Sequence, residues 1–390
     1  MGGDTDMVLT LFLIFTAAAA FATLMLWARQ ALIIGYILAG IAIGPWGFGL
    51  ITDTRLVGSL AETGIIFLLF LLGLDLTPQK LVQLFRQTTR VTLSTSALFC
   101  LAGFGLALTF GLNAHAALLI GVACMFSSTI IGIKLLPTTV LHHRHTGEVI
   151  ISVLLLQDLI AIAVMVTIQA LSQVDASQVE LLLPLLSLPL LAVLAWAFER
   201  HLLLRLLARF DQVQEFVFLI TLAWCIGMAW LAHELGLSYE MGAFMAGVIM
   251  ASSPIAQFIA LRLKPLRDFF LVLFFVALGA GLNLDLVPQI LWPALGLALL
   301  MLMLKPVAYR IALGRVAETP TLAWETGWRL GQMSEFSLLI TFLAMGLPGI
   351  DEPTLLLIQL ATILTFVGSS AIVVLNYPTP VAVDPDLRRD

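Results

Sequence analysis

Residues 7–27 read MVLTLFLIFTAAAAFATLMLW, a run with no charge and almost no polar side chain. As a helix it is about 30 Å long, the thickness of a bilayer's hydrocarbon core. Comparable runs recur at about 31–50, 56–74, 91–111, 115–135, 148–170, 181–203, 213–233, 239–252, 268–283, 290–313, 322–346 and 354–375. In lipid a backbone must satisfy its own N–H and C=O groups, so each run is expected to be helical. The expectation is an all-α polytopic membrane protein with 13 transmembrane helices. At 61% hydrophobic and 11% charged residues, with mean hydropathy +1.06, the chain has more apolar surface than a soluble fold of its length can bury. The bilayer is thus a partner, and no nucleic-acid partner is expected.

The N-terminal MGGDTDM is acidic and lacks the positive segment of a secretory signal, so the first run is expected to stay as an uncleaved span. No soluble domain is expected before or after the apolar region, only a short tail beyond Tyr377. Cys100, Cys124 and Cys225 lie scattered in apolar segments, without the spacing of a metal site or disulfide framework. Lys and Arg set the orientation. With the N-terminus outside, the cytoplasmic segments hold 15 of the 19 basic residues, from Arg29 through Arg389. The outside loops hold Arg55 alone, and Lys134, Lys305 and Arg329 lie in or at the ends of spans. That bias predicts an odd number of spans and a cytoplasmic C-terminus; a bacterial inner membrane is the expected location.

An internal repeat follows. GYILAGIAIGP (35–45) matches GAFMAGVIMASSP (242–254), and LFLLGLDLTPQ (69–79) matches LGAGLNLDLVPQ (278–289), at offsets of 207 and 210 residues. These strings pair span 2 with span 9 and span 3 with span 10. Seven spans separate the partners, so the halves cross in opposite directions. The pattern is an inverted repeat of spans 1–6 and 8–13 joined by span 7, as in secondary transporters with sites near the midplane.

The same offset sets FSSTIIG (126–132) against QMSEFS (332–337), with Glu335 opposite Ser128. Hydroxyls at matched positions in two apolar spans predict crossed, discontinuous helices whose free carbonyls line an ion site. Beside them LLLQDLIAI (154–162) places Asp158 in the middle of a span. An unpartnered carboxylate there is cheaper to hold protonated than ionised, and intramembrane acids are functional by default. The candidate cation and proton ligands are Asp158, hydroxyls of Ser127, Ser128 or Thr129, unwound carbonyls and Gln157. A buried structural aspartate is the bland alternative. Lys305, before the kinking Pro306, either pairs with Asp158 when no cation is bound or snorkels to the cytoplasm. Glu62, Ser334, Glu335 and Arg329 are structural or core polar residues on this reading, with a bridge expected for Glu335 and Arg329. The LHHRH run (141–145) suggests a metal or pH sensor, but a solvated loop facing anionic lipid is the better expectation. GLD at 73–75 has a partner in NLD at 283–285 and reads as a structural turn, not a protease centre.

GYILAGIAIGPWGFGL, AETGIIFLLFLLGLDL, FSSTIIGIKLL, LLLQDLIAI, MGAFMAGVIMAS, LFFVALGAGLNLDL and GQMSEFSLL together resemble the membrane domain of the Kef potassium efflux systems, in the second monovalent cation:proton antiporter family. The resemblance covers essentially the whole chain. It implies a sodium/proton-exchanger-like fold and a homodimer. Residues 1–88 and 213–288 would be the scaffold, 89–174 and 289–378 the moving core, 175–212 the linker and 379–390 a cytoplasmic tail. It also implies an elevator motion, Gln157 and Asp158 as the ion-binding pair, and Lys305 as the core lysine. The Gln-Asp form implies potassium over sodium. The Kef regulatory nucleotide-binding domain is expected to be absent. The expected activity is exchange of K+ or Na+ for protons, with no cofactor and no enzymatic chemistry. A gated potassium channel and an organic-anion symporter of the same fold are the alternatives.

Overall fold

A computed structural model describes residues 7–51, 54–75, 78–135, 145–172, 178–210, 213–237, 239–253, 255–316 and 318–379. The helices, in chain order, are α1 (Met7–Trp27), α2 (Leu32–Ile43), α3 (Thr54–Asp75), α4 (Pro78–Thr109), α5 (Ala114–Cys124), α6 (Thr129–Lys134), α7 (His145–Ser172) and α8 (Gln178–Phe198). A π-turn, Glu199–Leu203, then leads to α9 (Leu204–Phe210), α10 (Gln214–Glu234), α11 (Tyr239–Met250), α12 (Ala256–Ala280), α13 (Val287–Gly314), α14 (Pro320–Arg329), α15 (Glu335–Leu343) and α16 (Glu352–Asn376). Among the described residues six helices are long and apolar enough to cross a membrane, and Leu32–Ile43, Ala114–Cys124 and Met241–Met250 are shorter apolar helices.

Two segments expected as single spans are interrupted. α5 ends at Cys124 and α6 begins at Thr129; α14 ends at Arg329 and α15 begins at Glu335. Local chemistry explains each restart. Ser128 Oγ accepts from the Ile131 N–H, three residues into the new helix (3.1 Å). Ser334 and Ser337 form a capping box at the start of α15. Asn113 caps α5, and Thr319 with Pro320 at the first helical position caps α14.

The chain forms two compact units. The first comprises residues 1–16, 40–83 and 169–281. In it α3 packs against α11 and α12, and α10 against α11. Glycine sets these approaches. A Cβ on Gly40 would lie 2.1 Å from the Val276 carbonyl oxygen, and one on Gly247 would lie 2.1 Å from that of Phe70. Gly40 and Gly247 are 207 residues apart, and Phe70 and Val276 are 206 apart. Each glycine of the matched strings therefore meets the other half's backbone at the matching place. Gly40→Ala and Gly247→Ala are expected to destabilise by similar amounts, about 1–3 kcal/mol each, because backbone cannot yield as a side chain tip can. Thermal unfolding in detergent measures this, and a large effect at one position with none at the other would break the equivalence.

The second unit comprises residues 17–39, 84–168 and 282–390. α13 packs against α14 and α16, and α15 against α16 and α5. This unit holds both interruptions together with Asp158, Lys305 and Arg329. Glu62's side chain and residues 141–144 of the LHHRH run lie outside the described residues. His145, at the head of α7, contacts Glu318 (2.9 Å) and Glu148 (3.3 Å) and is half exposed, a surface link rather than a metal site. Among the described residues no group of three or more His, Cys, Asp or Glu side chains is placed to hold a metal.

Candidate ion-binding site

A helix interruption leaves backbone N–H and C=O groups without intrahelical partners, and each must be met inside a dry interior. In the second unit the two interruptions meet each other. Ser127 Oγ donates to Leu330 O (2.9 Å), Gln332 Nε2 donates to Ser128 O (3.3 Å) and Ser337 Oγ donates to Ala123 O (2.6 Å). Ser127, Ser128, Gln332, Ser334 and Ser337 are all fully buried.

α7 delivers two polar side chains to this place. Asp158, fully buried, accepts from Thr129 Oγ1 at 3.1 and 3.2 Å to its two carboxylate oxygens. Thr129 is thus the hydroxyl on the carboxylate, while that of Ser128 serves the backbone and that of Ser127 serves the backbone and Lys305. Gln157 has a different task. Its Oε1 accepts from Ser127 N–H (3.1 Å), and its Nε2 donates to Met125 O (3.0 Å) and Tyr309 Oη (3.0 Å), with Ser96 Oγ at 3.5 Å. The amide, a candidate cation ligand in the sequence, braces residues 125–127. Glu335, buried at the first turn of α15, accepts from Ser334 Oγ (3.4 Å).

Lys305 neither pairs with Asp158 nor snorkels. Fully buried on α13, its Nζ donates to Phe126 O (2.6 Å), Gln332 O (2.9 Å) and Ser127 Oγ (3.3 Å) and sits 5.2 Å from the Phe99 ring centre. The carbonyls freed by the two breaks are the nearer acceptors. Arg329 does form a bridge, to Glu325 (2.9 Å) and not to Glu335. Glu325 lies one turn away on α14, whereas the second interruption separates Arg329 from Glu335. Arg329 also donates to Leu135 O (3.0 Å) and Pro378 O (2.9 Å), tying the end of α6 to the residues after α16.

Sequence reasoning missed Tyr309, Ser96 and Thr365. Tyr309 stands four residues after Lys305, on the same helix face, and its ring meets Phe99 edge-on. The repeat carried the signal for Thr365. Its Oγ1 accepts from Met333 N–H (3.0 Å), as Gln157 accepts from Ser127 N–H. Those positions are 208 and 206 residues apart.

Comparison with known proteins places this arrangement. The family profile described as "Sodium/hydrogen exchanger, transmembrane" matches residues 11–376. The chain is 28% identical over 346 residues to a protein named "Iron transporter MagA" from Paramagnetospirillum magneticum, covering 87% of this chain and 79% of that protein. In fold it is similar to the sodium proton antiporter MjNhaP1 from Methanocaldococcus jannaschii, with TM-score 0.72 at 16% identity, covering 93% of this chain and 95% of that one. The resemblance to Kef systems is corrected by these matches: the profile and the solved structure point to sodium/hydrogen exchangers, the relative is named an iron transporter, and none of the three is of the Kef type. The chain is a multi-pass membrane protein that belongs to the sodium/hydrogen exchanger family, whose members are transporters without cofactors and not enzymes.

Proposed function

We propose that this protein exchanges an alkali cation for protons by alternating access, with Asp158 holding either a proton or the cation. The observation that carries the reading is a fully buried carboxylate set at two meeting helix interruptions and bonded to a single threonine hydroxyl. A carboxylate in such a place is expensive unless its charge is matched by a bound proton or cation, and these are the two loads an antiporter alternates. The oxygen donors are Asp158, Thr129 and backbone carbonyls, a hard set that suits alkali cations. Potassium is the cargo proposed, with sodium as the alternative that the experiment compares, since both are hard cations that this oxygen set can hold. The unit that holds Asp158 carries the ion in an elevator motion, in a chain of thirteen spans with its N-terminus outside, as the basic-residue bias supports.

In proteoliposomes with a trapped pH dye, a pulse of K+ is expected to move protons, with a smaller response to Na+. A parallel Fe2+ pulse tests whether the activity named for the MagA relative extends to this chain. No dye response to either alkali cation would overturn the reading.

A further inference from the structure

The surroundings of Lys305 are built for a cation as such. An ammonium has three N–H donors and no acceptor. Around Nζ stand three acceptors: Phe126 O, Gln332 O and Ser127 Oγ. Ser127's own proton goes to Leu330 O, so a lone pair of its oxygen faces Lys305. The face of Phe99, also fully buried, adds the negative potential of a ring quadrupole. Phe126 belongs to the first interruption and Gln332 to the second, so the head cross-ties the two. Backbone carbonyls of unwound segments are also what strips and holds potassium in selectivity filters.

We propose that Phe126 O, Gln332 O, Ser127 Oγ and the Phe99 ring form a second monovalent-cation site, distinct from Asp158, which the chain fills with its own Lys305 ammonium. Lys305 is on this account a positioning residue: it keeps the two interruptions together while the cargo binds elsewhere. Its three oxygens stand 2.6 to 3.3 Å from Nζ, contact distances for one ammonium or potassium ion. Truncating the side chain empties it without removing any of its oxygens.

The test is rescue. Lys305→Ala is purified in sodium, potassium, ammonium or tetramethylammonium chloride at equal ionic strength, and its thermal midpoint is compared with wild type. Ammonium and potassium are expected to raise the variant's midpoint saturably by several degrees more than they raise wild type. Tetramethylammonium, too large for the cage, is expected to give no such rise. Lys305→Met keeps the stem and fills the volume, so its midpoint is expected to be low and unmoved by any of the four salts. If Lys305→Ala responds to ammonium and potassium no more than wild type does, if it cannot be recovered folded even in ammonium, or if Lys305→Met matches wild type, the proposal is wrong. The readout is a melting temperature, so a failure of the antiport reading leaves this result interpretable.

Discussion

Asp158→Asn is expected to reduce cation-driven proton movement to the level of protein-free liposomes while leaving the fold intact. The two effects separate because the carboxylate does different things for stability and for transport. Its structural bond is one hydrogen bond from Thr129, at 3.1 to 3.2 Å, and an asparagine oxygen can accept the same proton. Replacing a carboxyl in a dry interior by a neutral group of equal shape should change stability by no more than about 1 kcal/mol. For transport the amide is useless: it neither takes up a proton nor offers a negative charge to a cation. Thr129→Val, which keeps the shape and deletes the hydroxyl, is expected to raise the cation concentration needed for half-maximal rate several-fold without abolishing exchange, and Thr129→Ser should restore it. An Asp158→Asn protein that exchanges at the wild-type rate would remove Asp158 from the mechanism.

Asp158 was legible in the sequence because its position is costly: a carboxylate among Leu154, Leu155, Leu156, Leu159 and Ile160 demands an explanation. The interruptions were legible for a related reason. FSSTIIG and QMSEFS place hydroxyls and amides where lipid-spanning helices otherwise avoid them, at one repeat offset. Lys305 was visible as a buried charge, but its partners were not. Pairing opposite charges is the obvious guess from a string of letters, whereas the carbonyls that claim Lys305 belong to every residue and become acceptors only where a helix stops. The partners of the Gln157 amide were hidden for the same reason. The mistaken Kef resemblance has a physical source too. The strings that suggested it are rich in glycines and polar residues at helix contacts and interruptions, as Gly40, Gly247 and Ser127 show. Such residues report the fold, which distinct families of exchangers share.

Gln157 provides the second large effect. Replacing it by leucine is expected to lower stability by about 2–4 kcal/mol. Three partners lose the amide at once: the Ser127 N–H, the Met125 carbonyl and the Tyr309 hydroxyl, all within 3.1 Å of it. An orphaned buried polar group costs about 1–3 kcal/mol, although the Tyr309 hydroxyl can turn towards other acceptors. The leucine side chain returns about 1–2 kcal/mol of transfer free energy, which does not offset the loss. Gln157→Glu should do no better. Its carboxyl can still accept from Ser127 N–H, but ionised it sets oxygen lone pairs against Met125 O, and protonated it has one donor where the amide serves both Met125 O and Tyr309 Oη. The two roles for Gln157 then part in one pair of measurements. A cation ligand, when removed, weakens apparent cation affinity and leaves the thermal midpoint where it was. A brace, when removed, lowers the midpoint, and transport falls because residues 125–127, and with them the start of α6 at Thr129, no longer hold their place beside Asp158. Unchanged stability in Gln157→Leu with weakened cation affinity would restore Gln157 to the ligand set.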